Sequence, residues 1–73
     1  MEQQTLVVKG EWIALCDVLK VCGVTDSGGR AKALVASGVV QVDGQIELRK
    51  TCKIRPGQCV SGEGYAIRIE AQA

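Results

Sequence analysis

Ser27-Gly28-Gly29-Arg30-Ala31-Lys32-Ala33-Leu34-Val35-Ala36-Ser37-Gly38-Val39-Val40-Gln41-Val42-Asp43-Gly44 is the stretch whose reading decides the fold. Its first half has the punctuation of a helix. Asp26 or Ser27 can cap the free N–H groups of a first turn, Ala31, Leu34 and Val35 form an inward face, and Gly38 stands just past Ser37. Its second half is a hairpin signal. Val39-Val40-Gln41-Val42 and Gln45-Ile46-Glu47-Leu48 flank Asp43-Gly44, a pair suited to the positive φ angles of a tight two-residue turn.

The glycine pair is the odd feature. Glycine weakens a helix by up to about 1 kcal/mol per residue relative to alanine, yet Gly28 and Gly29 occupy the first turn. A start free of side chains lets the exposed N–H groups close on an anion, with the helix dipole helping. We favour phosphate contact over the alternative, a loose loop ahead of a helix that begins at Arg30. The stretch is not a nucleotide-binding P-loop, because it lacks the longer glycine spacing and the Gly-Lys-Ser/Thr ending.

Upstream, Thr5-Leu6-Val7-Val8-Lys9 reads as a short strand closed by Gly10. From Ile13 to Cys22 a helix is expected, with Trp12, Leu15, Cys16, Leu19 and Cys22 as its buried stripe, Asp17 and Lys20 pairing on the wet side, and Gly23 as its stop. Trp12 is read as a core residue in preference to a base-stacking one. Downstream, Arg49, Lys50, Lys53 and Arg55 fall within seven positions, and Cys52 and Ile54 alternate with Lys53 and Arg55, apolar inward and basic outward. Pro56-Gly57 fits a type II turn. Gln58 to Ser61 and Tyr65 to Glu70 then read as closing strands, with Tyr65, Ile67 and Ile69 on one face.

Composition bounds the rest. A chain of 73 residues makes one domain at most, and its core must be aliphatic, because Phe is absent and Trp12 and Tyr65 are the only large aromatics. The polar start, Met1-Glu2-Gln3-Gln4, and the lack of a long apolar run point to a cytoplasmic location with no membrane contact. Cys16, Cys22, Cys52 and Cys59 lie among apolar neighbours and are expected as buried thiols; disulfides or a metal are the weaker readings, since no close Cys pair and no His is present. Net charge is only +1, but it is unevenly spread: residues 1–26 balance to −2, residues 27–62 to +4, and the tail to −1. If Arg30, Lys32, Arg49, Lys50, Lys53 and Arg55 share a face, they form a site for a polyanion; otherwise they are solvated surface.

Taken in order, Leu15-x-x-x-Leu19, the Ser27–Gly44 stretch and Glu47-Leu48-Arg49-Lys50-x-x-Lys53-Ile54-x-Pro56-Gly57 resemble the S4-like RNA-binding domain, named after a ribosomal small-subunit protein, and in particular its small stand-alone bacterial members. The match spans about Leu15 to Val60 within a single domain of residues 1–73. The resemblance implies an α+β fold, the alpha-L motif, in which two short helices pack on a small, bent, mostly antiparallel sheet. It also implies a surface for structured RNA, rRNA or tRNA, in a ribosome-associated role. On that surface Ser27, Gly28 and Gly29 would meet phosphate, Arg30 and Lys32 would flank them, and Arg49, Lys50, Lys53 and Arg55 would extend the positive area. Two departures stand out. Gly28-Gly29 replaces a frequent Arg-Ser, so backbone contacts must substitute there. Asp43 replaces a usual Asn and Gln58 a usual Asp, and the first adds a negative charge near the surface.

No cofactor and no metal are expected. Catalysis is not expected either: there is no His, and the carboxylates are scattered. The anticipated partner is RNA, with ribosomal or RNA-modifying proteins as further candidates, and the chain is expected to be a monomer. A protein–protein adaptor using the same surface for an acidic partner is the rival reading. No basic helix long enough to fill a DNA major groove is evident, which favours RNA read by shape and phosphates.

Overall fold

The computed structural model describes residues 2–72. Along these residues run β1 (Glu2–Val8), β2 (Ile13–Ala14), α1 (Leu15–Val21), α2 (Gly28–Ala36), β3 (Gln41–Val42), β4 (Gln45–Ile46), β5 (Lys53–Ile54), β6 (Cys59–Gly62) and β7 (Tyr65–Ala71). One sheet has the order β1-β7-β6-β3-β4, and a separate two-stranded ribbon joins β2 to β5. The class is α+β, as the resemblance implies. The larger sheet is mixed, however: three of its pairings are antiparallel, but the long β1–β7 pairing is parallel, from Glu2↔Tyr65 to Val8↔Ala71. Parallel neighbours need a crossover connection, and here the whole intervening chain is that connection.

The stretch from Ser27 to Gly44 folds as expected. Ser27 is the N-cap, its hydroxyl accepting from the Arg30 N–H at 3.2 Å, and helix α2 includes both glycines before ending ahead of Gly38. The hairpin turns at Asp43 (φ 52°) and Gly44 (φ 83°), the pair of positive angles that a two-residue turn of this hand requires. Its strands are shorter than expected, two residues each. Pro56-Gly57 also behaves as expected: Gly57 has φ 95°, and the Gln58 N–H donates to the Arg55 carbonyl at 3.1 Å.

The first helix needs correction. It begins at Leu15 rather than Ile13, because Ile13 and Ala14 pair with Ile54 and Lys53 and are thereby held extended. The helical phase therefore never reaches Trp12, which is 44 % exposed and not part of the core. The buried face of α1 is Leu15, Cys16, Val18 and Leu19; Cys22, expected in that stripe, is only half-buried. With Ala31 and Val35 from α2, Ile54 from β5, and Val8, Val60, Ile67 and Ile69 from the large sheet, these residues form one apolar cluster. The expected inward face of β7 holds, with Ile67 and Ile69 fully buried and Tyr65 partly so. The four thiols are free: Cys16 is buried, and Cys22, Cys52 and Cys59 are partly buried.

Gly62 and Tyr65 face each other across the β6–β7 pairing. The tyrosine ring folds over the glycine so closely that a Cβ there would collide with the ring and its hydroxyl. That hydroxyl is buried and has no hydrogen-bond partner among the described residues, and burial pushes its pKa upward. Gly62→Ala should therefore destabilise the chain by about 1–3 kcal/mol, the usual penalty of overpacking. Tyr65→Phe, which deletes an unpaired buried hydroxyl, should be neutral or stabilising. Urea denaturation of both variants checks the pair; a stable Gly62→Ala protein would refute the packing argument.

Candidate nucleic-acid interface

Helix α1 has no side-chain cap: Ala14 occupies the N-cap position and makes no side-chain hydrogen bond. Its first N–H groups are satisfied by the main chain of the basic segment. Leu15 donates to the Cys52 carbonyl at 2.9 Å and Cys16 to the Lys50 carbonyl at 3.0 Å. Helix starts leave such donors without intrahelical partners, so the basic segment is bound through its carbonyls. Ile54 is turned inward and wholly buried, while Lys50, Lys53 and Arg55 are exposed. The expected alternation of apolar inward and basic outward is what the chain adopts.

The cations differ in what holds them. Arg49 grips Glu47 through both carboxylate oxygens, Nη2 to Oε1 at 3.1 Å and Nε to Oε2 at 3.2 Å, and its main-chain N–H adds a third contact at 3.1 Å. These bonds lower the Glu47 carboxyl from its ordinary 4.5 to about 2. Arg30 pairs with Asp26 at 3.3 Å, both side chains mostly exposed; such surface pairs contribute little. Among the described residues, Lys32, Lys50, Lys53 and Arg55 have no carboxylate partner. Of the six basic residues expected at the surface, these four carry the uncompensated charge.

Position divides them again. Arg49, Lys53 and Arg55 line one open hollow together with Asp43 and Gln58. Arg30 lines a different one, with Asp26, Thr25 and Leu34. Lys32 is exposed on α2, next to its glycine start. Gly28 and Gly29 are open: a Cβ at Gly28 would meet nothing within 4 Å, and at Gly29 only the Ser27 Oγ at 4.0 Å. Their N–H groups have no acceptor among the described residues.

Asp43 and Gln58 are partners. Asp43 accepts the Cys59 N–H at 2.9 Å through Oδ1 and the Gln58 side-chain amide at 3.2 Å through Oδ2, while Gln58 Oε1 accepts the Arg55 N–H at 2.8 Å. These bonds tie the hairpin turn to the turn after Arg55. Asp43 does lie beside the basic residues, as expected, and its carboxylate also braces the turn.

Sequence reasoning missed Trp12 as a surface residue. Lys53 Nζ stands 5.0 Å from the centre of its indole ring, a cation–π distance. Reading residues 12–14 in strand rather than helix phase would have turned the ring outward.

Residues 6–70 match the S4 domain family. The chain belongs to the S4 domain family. YbcJ of Escherichia coli (strain K12) and YbcJ of Shigella flexneri are each 48 % identical to this S4 domain over 59 residues, covering 81 % of this chain and 84 % of theirs. The solution structure of YbcJ from E. coli, described as revealing an alpha-L motif involved in RNA-binding, superposes with a TM-score of 0.70 at 44 % identity, over 97 % of this chain and 89 % of that one. The architecture of this S4 domain is accordingly the alpha-L motif.

The Glu47–Arg49 pair has a consequence for pH. A carboxyl whose folded pKa is depressed stabilises the fold above its ordinary pKa and loses that contribution as pH falls through the folded value. Stability should therefore decline between pH 4.5 and about 2, and Glu47→Gln should flatten that part of the profile. Thermal unfolding across this range measures it; an unchanged profile in the variant would show that the pair does not couple to folding.

Proposed function

We propose that this S4 domain is a single-domain RNA-binding module that recognises structured RNA, rRNA or tRNA, in a ribosome-associated, cytoplasmic role. The observation that carries the reading is the fixing of segment 49–55 against α1 through its carbonyls, which turns Lys50, Lys53 and Arg55 to the outside. Arg49 extends that surface, and Ser27, Gly28, Gly29, Arg30 and Lys32 supply the helix start and its flanking charges. RNA presents phosphates and 2′-hydroxyls on an accessible surface, which an exposed basic patch can follow without entering a groove. The similarity to YbcJ, whose motif is described as involved in RNA-binding, supports the same assignment.

The domain acts by binding, as a monomer, without cofactor or metal, and any chemistry on the RNA belongs to a partner such as an RNA-modifying or ribosomal protein. No cluster of three or more potential metal ligands occurs among the described residues, and the sequence contains no His. No helix of the described residues is long and apolar enough to cross a membrane. A protein–protein adaptor is the second reading, favoured by Ile46 and Leu48, each 60 % exposed at and beside edge strand β4.

Crosslinking in cells followed by sequencing of the bound fragments identifies the RNA. In vitro, charge reversal of Lys32, Lys53 and Arg55 together should abolish retention of RNA in a mobility-shift assay while leaving thermal unfolding nearly unchanged, because exposed substitutions usually shift stability by less than about 0.5 kcal/mol. With four free cations engaged, the log–log dependence of affinity on salt should have a slope of about −3. Equal binding by wild type and triple variant would refute the site, and saturable binding to one protein with none to RNA would favour the adaptor.

A further inference from the structure

The ribbon of β2 and β5 has an outer face on which an aromatic ring meets a cation, with a second cation two residues further along the chain. Its register sets Ile13 opposite Ile54 and Ala14 opposite Lys53. Side chains alternate between the faces of a strand, so the inward turn of Ile54 sends Lys53 and Arg55 outward. One further step of the same register brings Trp12 across from Arg55. Trp12, Lys53 and Arg55 are all exposed, and the Lys53 ammonium lies 5.0 Å from the indole centre. Ala14, two residues on and on the same face as Trp12, carries only a methyl group.

An indole in this position is not explained by the apolar core, of which it is no part. Its chemistry suits one kind of ligand. An aromatic face stacks with an unpaired nucleobase, and a neighbouring ammonium and guanidinium can meet the phosphates on either side of that nucleotide. A base inside a duplex offers no free face for such stacking.

We propose that Trp12 is a base-stacking platform, receiving one unpaired RNA base on its indole while Lys53 and Arg55 hold the adjoining phosphates. The inference rests on the RNA-binding reading above and specifies the part of the RNA that is read: a single-stranded loop or bulge beside the paired stem. Lys53 then has two states, over the indole in the free protein and on phosphate in the complex.

Trp12 is the only tryptophan in the chain, so its fluorescence reports stacking directly. The full chain is titrated with a labelled RNA hairpin carrying an adenosine-rich loop, and with the blunt duplex of the same stem. Mobility shift measures binding, and tryptophan emission measures stacking. The hairpin should quench Trp12 and the duplex should not. Trp12→Leu should weaken hairpin binding by about tenfold, whereas Trp12→Phe, which keeps an aromatic face, should retain most of it; circular dichroism verifies that both variants fold. Hairpin binding with unchanged emission, equal quenching by the duplex, or wild-type affinity in Trp12→Leu would overturn the platform and leave the RNA-binding reading intact. Retention of neither RNA by the wild-type chain would overturn both.

Discussion

Leu15 and Cys16 donate their main-chain N–H groups to the carbonyls of Cys52 and Lys50, and most of what is distinctive about the outer surface follows from that arrangement. A helix start buried without partners would carry unsatisfied donors. Here the partners, Cys52 and Lys50, come from 34 to 37 positions further along the chain. The segment's acceptors are committed inward, Ile54 is driven into the core beside Leu15, and the basic side chains have no direction left but outward. Satisfying the helix and displaying the charge are one structural event.

The charge so displayed is smaller than the number of basic residues suggests. Glu47 occupies the guanidinium of Arg49, and Asp26 that of Arg30, leaving Lys32, Lys50, Lys53 and Arg55 without carboxylate partners among the described residues. These ion pairs also orient what they hold. Arg49 is tied by three contacts to one carboxylate, whereas lysine side chains in water remain mobile and can adapt to a phosphate array. The near-neutral net charge limits self-repulsion without removing the local positive field.

A second brace works from the opposite side. Asp43 sits in the hairpin turn and accepts from Gln58 and Cys59, and Gln58 in turn accepts from Arg55. The turn that closes the hairpin is thereby linked to the strand that displays Arg55. The ribbon of β2 and β5, with two residues in each strand, is held in turn by the bonds from Leu15 and Cys16 to the carbonyls of Cys52 and Lys50.

Much of this was legible in the residues. Ser27 as cap, the helix through its glycine pair, Asp43-Gly44 as a hairpin turn, Pro56-Gly57 as a second turn and the alternation of Cys52, Lys53, Ile54 and Arg55 are local signals, governed by the φ preferences and side-chain period of neighbouring residues. The sequence alone determined those elements and which of its side chains were basic. Tertiary structure decided the rest: the parallel partner of β1, the extended state of Ile13 and Ala14, and the exposure of Trp12. Each of these depends on which distant backbone supplies a hydrogen bond, and periodicity within a window of sequence carries no record of that.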